Sequence, residues 1–119
     1  MGRTDPGTAD HGKADDIIHQ PVRLKIMAAL NALPTGEAIE FTRLKAIVAA
    51  TDGNLGAHVT TLEQAAYVRV TKDFNGKKPR TRIAVTSGGR RAFAQHVAYL
   101  RDILDGNPAL DASADQGSE

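Results

Sequence analysis

The side chains best suited to chemistry lie in residues 51–66, on one side of a predicted central helix. Leu55, Val59, Leu62 and Ala66 recur at helical spacing and predict its buried stripe. Small and uncharged polar residues occupy the opposite side, with a histidine on its flank: Asn54, Ala57, His58, Thr60, Thr61 and Gln64. Amide and hydroxyl groups donate and accept hydrogen bonds, which suits the edges of bases in the major groove of DNA. The alternative is a polar surface helix that happens to carry few charges.

Basic residues are concentrated directly after this helix. Residues 67–91 contain eight Lys and Arg side chains and one acid, a formal charge of +7, although the whole chain carries only +1. A basic segment on an acidic background predicts a surface that binds a polyanion. The candidates for contacting phosphates, or for placing an arginine in the minor groove, are Lys77, Lys78, Arg80, Arg82 and, on the preceding helix, Arg43. For any single lysine, the alternative is a solvated surface charge.

The composition argues against several other chemistries. The sequence lacks cysteine and its four histidines have no metal-ligand spacing, so we predict no metal; His96 and Asp102 are the only start of such a site. It has no phosphate-binding glycine loop and no paired nucleophile and base, which predicts neither a cofactor nor catalysis. No apolar stretch approaches a membrane span and no secretory signal opens the chain, so we expect a cytoplasmic protein.

Hydrophobic periodicity predicts one domain over residues 15–105. Its core must be aliphatic, because aromatic residues make up only 4% of the chain. The predicted elements are a helix over 21–33, a short edge strand over 38–41, a helix over 42–50, the central helix, a hairpin with strands 67–72 and 80–85 around a turn at 73–79, and a long helix over 88–104. Residues 1–14 and 106–119 lack apolar periodicity, which predicts a disordered arm and a disordered acidic tail.

The last predicted helix carries two neighbouring apolar stripes, a wider apolar side than one contact with the domain needs. The second stripe and the adjoining leucine predict a dimerisation surface: Ala92, His96, Tyr99, Leu100 and Ile103. The alternative is that Tyr99 and Ile103 cover the first helix of their own domain.

Four short motifs follow one another along the chain. They are Gly53-Asn54-Leu55, Leu62-Glu63-Gln64-Ala65-Ala66-Tyr67-Val68, Lys77-Lys78-Pro79-Arg80-Thr81 and Thr86-Ser87-Gly88-Gly89-Arg90. In this order and spacing the chain resembles small single-domain winged helix-turn-helix transcriptional regulators related to the MarR and ArsR groups. The resemblance covers about residues 16–104. Two positions depart from the family pattern, since Ala66 stands where glycine is usual and Gly56 where a polar residue is common.

This resemblance implies a winged helix-turn-helix, which is a mainly α fold with a small β-hairpin (α+β), here with a long C-terminal dimerisation helix. It implies a homodimeric regulator that binds double-stranded DNA, with residues 52–66 in the major groove and the basic wing, residues 72–82, on the backbone or in the minor groove. Because the sequence shows no separate activation domain, we expect a repressor. The alternatives are a winged helix that binds protein and a sequence-indifferent binder of nucleic acid. The resemblance also allows a small-molecule effector, although no residue marks its site.

Overall fold

The computed structural model describes residues 14–106, so the predicted arm and acidic tail, apart from residues 14 and 106, lie outside the described residues. The elements within this range are α1 (Pro21–Asn31), β1 (Ile39–Glu40), α2 (Phe41–Val48), α3 (Asp52–Gln64), β2 (Val68–Asn75), β3 (Lys78–Val85) and α4 (Ser87–Leu104). The strands form one antiparallel sheet in the order β1-β3-β2. The predicted α+β winged helix-turn-helix is confirmed, and each helix begins and ends within two residues of its predicted limits.

An aliphatic core lies at the centre of one compact unit, Asp15–Phe93. Leu30 of α1, Leu44 of α2 and Leu62 of α3 are fully buried there, together with Ile83 of the sheet. Burying one such side chain stabilises a fold by about 1.5–3 kcal/mol. The core therefore holds α3 in place through its apolar side. The second unit contains, among the described residues, the rest of α4 from Ala94 onward. No helix within residues 14–106 is long and apolar enough to cross a membrane.

Helices α2 and α3 end in the same hydrogen-bonded motif. After α3, the N–H of Ala66 bonds to the backbone oxygen of Glu63 at 2.9 Å. The N–H of Tyr67 bonds to the backbone oxygen of Leu62 at 3.0 Å. This Schellman motif needs a left-handed residue, usually glycine, but the chain uses Ala66 (φ 64°) and, after α2, Ala49 (φ 56°). The departure of Ala66 from the family pattern thus places alanine in a conformation that costs a residue with a Cβ about 1–2 kcal/mol.

The hairpin of β2 and β3, which we call the wing, has a shorter turn and longer strands than predicted. The strands pair over their full lengths, and the last pair is Asn75 with Lys78. Only Gly76 and Lys77 form the turn, so the turn predicted at residues 73–79 is wrong. Gly76 has a φ of 67° at the first central position, where a type II′ turn requires glycine. Cross-strand pairing satisfies backbone groups that an open turn would leave to water, which explains the difference.

Candidate nucleic-acid interface

A cap and an ion pair hold the amino end of α3. The hydroxyl oxygen of Thr51 accepts a hydrogen bond from the backbone N–H of Asn54 at 3.1 Å, which satisfies one donor of the first turn. Lys45 of α2 and Asp52 of α3 form an ion pair at 2.7 Å between Nζ and Oδ1. Because the Asp52 side chain is 76% exposed, this pair contributes little to stability. Its geometric effect is to join α2 to α3 beside the turn between them.

The two sides of α3 are arranged as the sequence predicts, except at Ala66. The sequence pattern places Ala66 on the buried stripe, but it lies beyond the end of α3 in a left-handed conformation and is exposed. The buried stripe consists of Leu55, Val59 and Leu62. The exposed members of the polar side are Asn54, Ala57, Thr60 and Gln64. Within residues 14–106, no hydrogen bond or ion pair engages the side chains of Asn54, Thr60 or Gln64. Their amide and hydroxyl groups can therefore both donate to and accept from a ligand.

Thr61 and His58, also predicted for this surface, are less exposed than the other polar residues of α3. Both are partly buried. The hydroxyl of Thr61 donates to the backbone oxygen of Ala57, one turn earlier, at 3.2 Å. Because its proton is engaged in this bond, the Thr61 hydroxyl faces a ligand as an acceptor.

His58 contacts Arg23 of α1, a residue that the sequence analysis missed. A guanidinium N–H of Arg23 lies 3.0 Å from Nδ1 of His58, and its Nε donates to the backbone oxygen of Ile17. Arginine has no acceptor, so Nδ1 of His58 accepts and the ring proton lies on Nε2. Burial and then the charge of Arg23 hold the pKa of His58 below its ordinary value of 6.5. His58 therefore presents a neutral ring with an N–H donor at the flank of α3.

The wing has two chemically different faces, because side chains alternate along β2 and β3. The inner face, which continues the core side of the sheet, consists of Val68, Val70, Lys72 and Phe74 with Pro79, Thr81, Ile83 and Val85. The outer face consists of Arg69, Thr71, Asp73 and Asn75 with Lys78, Arg80, Arg82 and Ala84. The two arginines predicted to meet DNA therefore lie on the outer face.

Arg80 and Arg82 both bind Asp73 on this outer face. Arg80 donates from Nε to Oδ1 of Asp73 at 2.9 Å and from Nη2 to Oδ2 at 3.1 Å. Arg82 donates from Nη2 to Oδ2 at 2.7 Å. The hydrogen bond from Arg80 is the largest of the effects that hold the pKa of the Asp73 carboxyl below its usual range. One carboxylate thus offsets part of the charge predicted for the wing and fixes both guanidinium groups.

The lysines of the wing and the arginine of α2 are on the surface. Lys77 in the turn and Lys78 at the start of β3 are exposed, and so is Arg43 on α2. A lysine carries a compact point charge on a flexible side chain, so a surface lysine can pair with a phosphate without a fixed geometry. These three residues stay candidates for contacts with a polyanion.

Arg90 belongs to the basic segment of the sequence but serves the fold. Its guanidinium donates to the backbone oxygens of Asn31 at 3.3 Å and Leu33 at 2.9 Å. These carbonyl groups belong to the last residue of α1 and to a residue just after it, where the helix leaves acceptors without intrahelical partners. Arg90 therefore stabilises the carboxyl end of α1, a role that sequence spacing does not reveal because the partners lie 57 and 59 positions away.

The motif around Thr86 and Gly89 joins the exit of α3 to the start of α4. The Thr86 oxygen accepts from the N–H of Gly89 at 2.9 Å, and its hydroxyl donates to the backbone oxygen of Ala66 at 2.7 Å. Gly89 is buried against the backbone of Tyr67, and a Cβ there would lie 2.1 Å from the Tyr67 oxygen. Only glycine fits this position. Close packing against Tyr67 therefore explains the glycine in the motif Thr86-Ser87-Gly88-Gly89-Arg90.

An open groove of about 550 Å³ lies between α3 and the inner face of the wing. It is lined by Phe41 of α2, by Gly56, Val59, Thr60 and Glu63 of α3, and by Val70, Lys72 and Thr81 of the wing. A Cβ on Gly56 would meet no atom within 4 Å, so this departure from the family pattern leaves open space. Within residues 14–106, no three His, Asp or Glu side chains are grouped to hold a metal ion, and this includes the surroundings of His96 and Asp102.

The predicted dimerisation surface is covered in part within the single chain. Ala92 packs against the core, and His96 is fully buried with its ring stacked on Tyr99 at 5.8 Å between centroids. The dimerisation surface therefore stays a prediction: within the single chain His96 is already buried, whereas Ala92 is only partly buried. Tyr99 and Leu100 are partly buried, and Ile103 is 45% exposed. Apolar exposure on α4 is therefore greatest towards its last turn.

Comparisons with known proteins agree with this architecture. The profile of a family described as "Winged helix DNA-binding domain" matches residues 22–104. An uncharacterized protein of Methanocaldococcus jannaschii is 38% identical over 88 residues, which cover 74% of this chain and 89% of that protein. The structure of a transcriptional regulator homologue from Pyrococcus horikoshii is similar with a TM-score of 0.70 and 28% identity, over 77% of this chain and 88% of that one.

Two further structures share the fold at lower identity. NadR in complex with 4-hydroxyphenylacetate has a TM-score of 0.59 and 18% identity, over 80% of this chain and 67% of that one. A MarR family transcriptional regulator from Silicibacter pomeroyi has a TM-score of 0.53 and 20% identity, over 87% of this chain and 76% of that one. The match over residues 22–104 and the relative at 38% identity go beyond fold. The chain belongs to the winged helix DNA-binding domain family and is a DNA-binding transcriptional regulator, not an enzyme.

Proposed function

We propose that this protein is a sequence-specific regulator that binds double-stranded DNA as a homodimer and represses transcription. In this proposal α3 enters the major groove and the wing lies on the backbone or in the minor groove. The observation that carries the proposal is the exposed and almost uncharged polar side of α3, beside a wing that concentrates the basic residues. A cytoplasmic location belongs to the same proposal, because a transcriptional regulator must share a compartment with its DNA.

The polar side of α3 supports base recognition. Asn54 and Gln64 are exposed and carry amides, which can pair with the N6 and N7 edge of adenine in two hydrogen bonds. One such pair contributes about 1–3 kcal/mol of discrimination against other bases. Thr60 offers a hydroxyl between them, and Ala57 is small enough to let the helix lie close to the groove floor. Neither Ala57 nor Thr60 carries a charge that would need desolvation there.

The basic residues support contacts that do not depend on sequence. Lys77 and Lys78 are exposed at the tip and edge of the wing, and Arg43 is exposed on α2. Contacts of this kind with phosphates position a protein on DNA and carry most of the dependence of affinity on salt. Arg80 and Arg82 belong to the same proposal, with the difference that their guanidinium groups are held by Asp73.

The homodimer is proposed from the end of α4 and from the geometry of operators. Ile103 is 45% exposed and Leu104 is 82% exposed, so the last turn of α4 offers apolar surface next to Tyr99. A single domain of this size presents one recognition helix. A two-fold pair would present two, about one helical turn or 34 Å apart, to a palindromic site.

An effector of this protein stays a prediction without an assigned site. The structure of NadR holds 4-hydroxyphenylacetate. At 18% identity the likeness between NadR and this chain is one of fold, so it does not transfer a ligand. Transcriptional response to any small molecule would therefore have to be found by screening ligands against the complex with DNA.

The test of sequence-specific binding is selection from random genomic fragments of double-stranded DNA over several rounds at moderate salt, followed by sequencing. We expect one palindromic motif whose half-sites lie about a helical turn apart. Uniform recovery of all fragments would contradict sequence-specific binding, and no recovery would contradict DNA binding by this protein alone. Transcription from a promoter that contains the selected motif would then distinguish repression from activation.

The test of the dimer is sedimentation of the intact protein and of the variant Tyr99→Asp. A charge placed beside Ile103 should separate the two chains, because an uncompensated carboxylate in an apolar contact is costly to desolvate. The matched control is Gln95→Asp, which adds the same charge at an exposed position of the same helix. An unchanged mass for Tyr99→Asp would show that this part of α4 is not the dimer surface.

A further inference from the structure

Phe74, two residues before the turn of the wing, is 66% exposed. The other aromatic residues of the chain are partly buried: Phe41, Tyr67, Phe93 and Tyr99. The cross-strand partner of Phe74 is Pro79, which is also exposed. The end of the wing therefore displays an apolar pair that no part of residues 14–106 covers.

The direction of this pair is set by the pairing of the strands. Phe74 and Pro79 lie on the inner face of the wing, which further along carries Val70 and the buried Ile83. The groove between the wing and α3 is lined from this same inner face. Phe74 therefore projects on the side of the wing that faces α3, and the ionic cluster of Asp73 is on the opposite side.

Three lysines lie near the apolar pair, and one of them, Lys72, shares its face of the wing. Lys77 forms the turn beside it, Lys78 begins β3 next to Pro79, and Lys72 precedes Phe74 by one step on the inner face. All three lysines are exposed. An exposed aromatic ring close to several cations does not suit contact with an apolar protein surface, but it suits a groove of DNA, whose apolar interior lies between two rows of phosphates.

We infer that Phe74, backed by Pro79, is an apolar wedge that the wing inserts into the minor groove of double-stranded DNA. Proteins that place apolar side chains between base steps in the minor groove unstack those steps and bend the duplex. Pro79 restricts the backbone beside Phe74, so the ring is presented with little loss of conformational freedom. Lys77, in the turn, and Lys78, on the outer face of the wing, contact phosphates near the wedge. Pyrimidine–purine steps are the easiest to unstack, so the wedge adds a preference for sites that contain them. This preference is separate from base recognition by the polar side of α3.

This inference rests on the proposed DNA binding and adds a residue, a groove and a deformation to it. The experiment measures bending by energy transfer between dyes at the two ends of a duplex that carries the selected site. Affinity is measured on the same duplex over a range of salt. The variants are Phe74→Ala, which removes the wedge, and Phe74→Leu, which keeps an apolar wedge of similar reach. Lys77→Ala is the control for charge at the same tip.

Bound wild-type protein should bring the ends of the duplex closer, and Phe74→Ala should abolish this change while weakening binding about tenfold. The slope of log affinity against log salt should stay the same for Phe74→Ala and become shallower for Lys77→Ala. Phe74→Leu should keep most of the bend. Because Phe74 is exposed, circular dichroism should show the same thermal midpoint for all variants.

Four outcomes would overturn the wedge. Bound DNA that stays straight with the wild-type protein, or a bend that Phe74→Ala preserves, would remove it and leave the proposed DNA binding intact. A change in sedimentation of Phe74→Ala without any change on DNA would assign the ring to contact between protein chains instead. Failure of the wild-type protein to bind any duplex would remove the wedge together with the proposed function. Binding of the wild type is measured first, so this outcome is distinguished from failure of the wedge alone.

Discussion

Helix α3 and the wing are both candidate DNA contacts, but the chain builds them in opposite ways. The outward side chains of α3 are polar, uncharged and, in the case of Asn54 and Gln64, not engaged by other described residues. The wing is rich in charge, but two of its arginines, Arg80 and Arg82, are held by Asp73. The side chains of α3 thus keep their donors and acceptors available for a ligand. In the wing, part of the hydrogen-bonding capacity of Arg80 and Arg82 is used within the hairpin.

This difference matches the division of labour between specificity and affinity. Hydrogen bonds to base edges distinguish sequences, whereas phosphate contacts add affinity for any duplex. A base contact needs an unengaged donor and acceptor at one place, which Asn54 offers. A phosphate contact needs only positive charge at a suitable distance, which the mobile stems of Lys77 and Lys78 provide. The predictions that follow test this contrast, beginning with the joint that connects the two regions.

The largest effect is expected from Gly89→Ala, which should break the joint between the exit of α3 and the end of the wing. A Cβ at this position would lie 2.1 Å from the backbone oxygen of Tyr67 and 2.9 Å from Val85. Because backbone must move to relieve this contact, we expect a loss of about 3 kcal/mol in the free energy of unfolding, measured with urea. Gly88→Ala is the matched control, since its nearest contact is an ordinary 3.8 Å and stability should barely change.

The next effect is expected from Asp73→Asn, which should convert the wing from a braced hairpin into a looser and more basic one. Loss of the carboxylate releases Arg80 and Arg82, so affinity for random DNA at low salt should rise about tenfold and its dependence on salt should steepen. Preference for the selected site should fall in the same experiment. Glu37→Gln is the control, because it changes the net charge equally at an exposed loop position away from the wing. An equal rise in affinity for both variants would show that net charge controls the affinity for random DNA, and that the contacts of Asp73 with Arg80 and Arg82 do not.

A smaller effect is expected from Ala66→Gly, which should sharpen the comparison by stabilising the exit of α3 alone. Ala66 has a φ of 64°, where glycine is free of the Cβ penalty. The free energy of unfolding should rise by about 1 kcal/mol, after allowance for the greater freedom of glycine in the unfolded chain. Ala65→Gly, at a right-handed position with φ of −82°, should instead lose stability. A loss in Ala66→Gly would contradict the left-handed geometry.

The smallest effect concerns pH and the flank of α3. The pKa of His58 lies below 6.5 in the folded protein, so the unfolded chain takes up the proton first as the pH falls. The contribution of His58 to stability is complete above 6.5 and declines as the pH falls from there to the folded pKa. An NMR titration of the ring should give a pKa below 6.5, and Arg23→Gln should raise it. A value at or above 6.5 in the wild type would remove the contact with Arg23.

The elements and the polar side of α3 could be predicted from sequence because they depend on local periodicity. The spacing of Leu55, Val59 and Leu62 alone decides which way Asn54 and Gln64 point. The family resemblance supplied the one signal for Ala66, since glycine at that place indicates a left-handed residue.

The rest depends on partners that are distant in sequence or on strand register. The contact of Arg23 with His58 spans 35 positions, and that of Arg90 with Leu33 spans 57. The contacts of Asp73 depend on a strand register in which it lies opposite Arg80. The sequence pattern places Asp73 in a longer turn, so it does not predict this pairing. His96 is fully buried, and the spacing of a helical stripe does not predict how deeply each of its members is buried.

The central claim, that α3 selects the sequence and the wing adds affinity, is tested most directly by four affinities measured over a range of salt. They are those of Asn54→Ala and Lys78→Ala, each on the selected site and on a random duplex. Lys78→Ala should weaken both complexes alike and reduce the salt slope by about one phosphate contact. Asn54→Ala should lower the preference for the selected site by about tenfold or more and leave binding to the random duplex unchanged. Equal losses on both duplexes for both variants would contradict the claim.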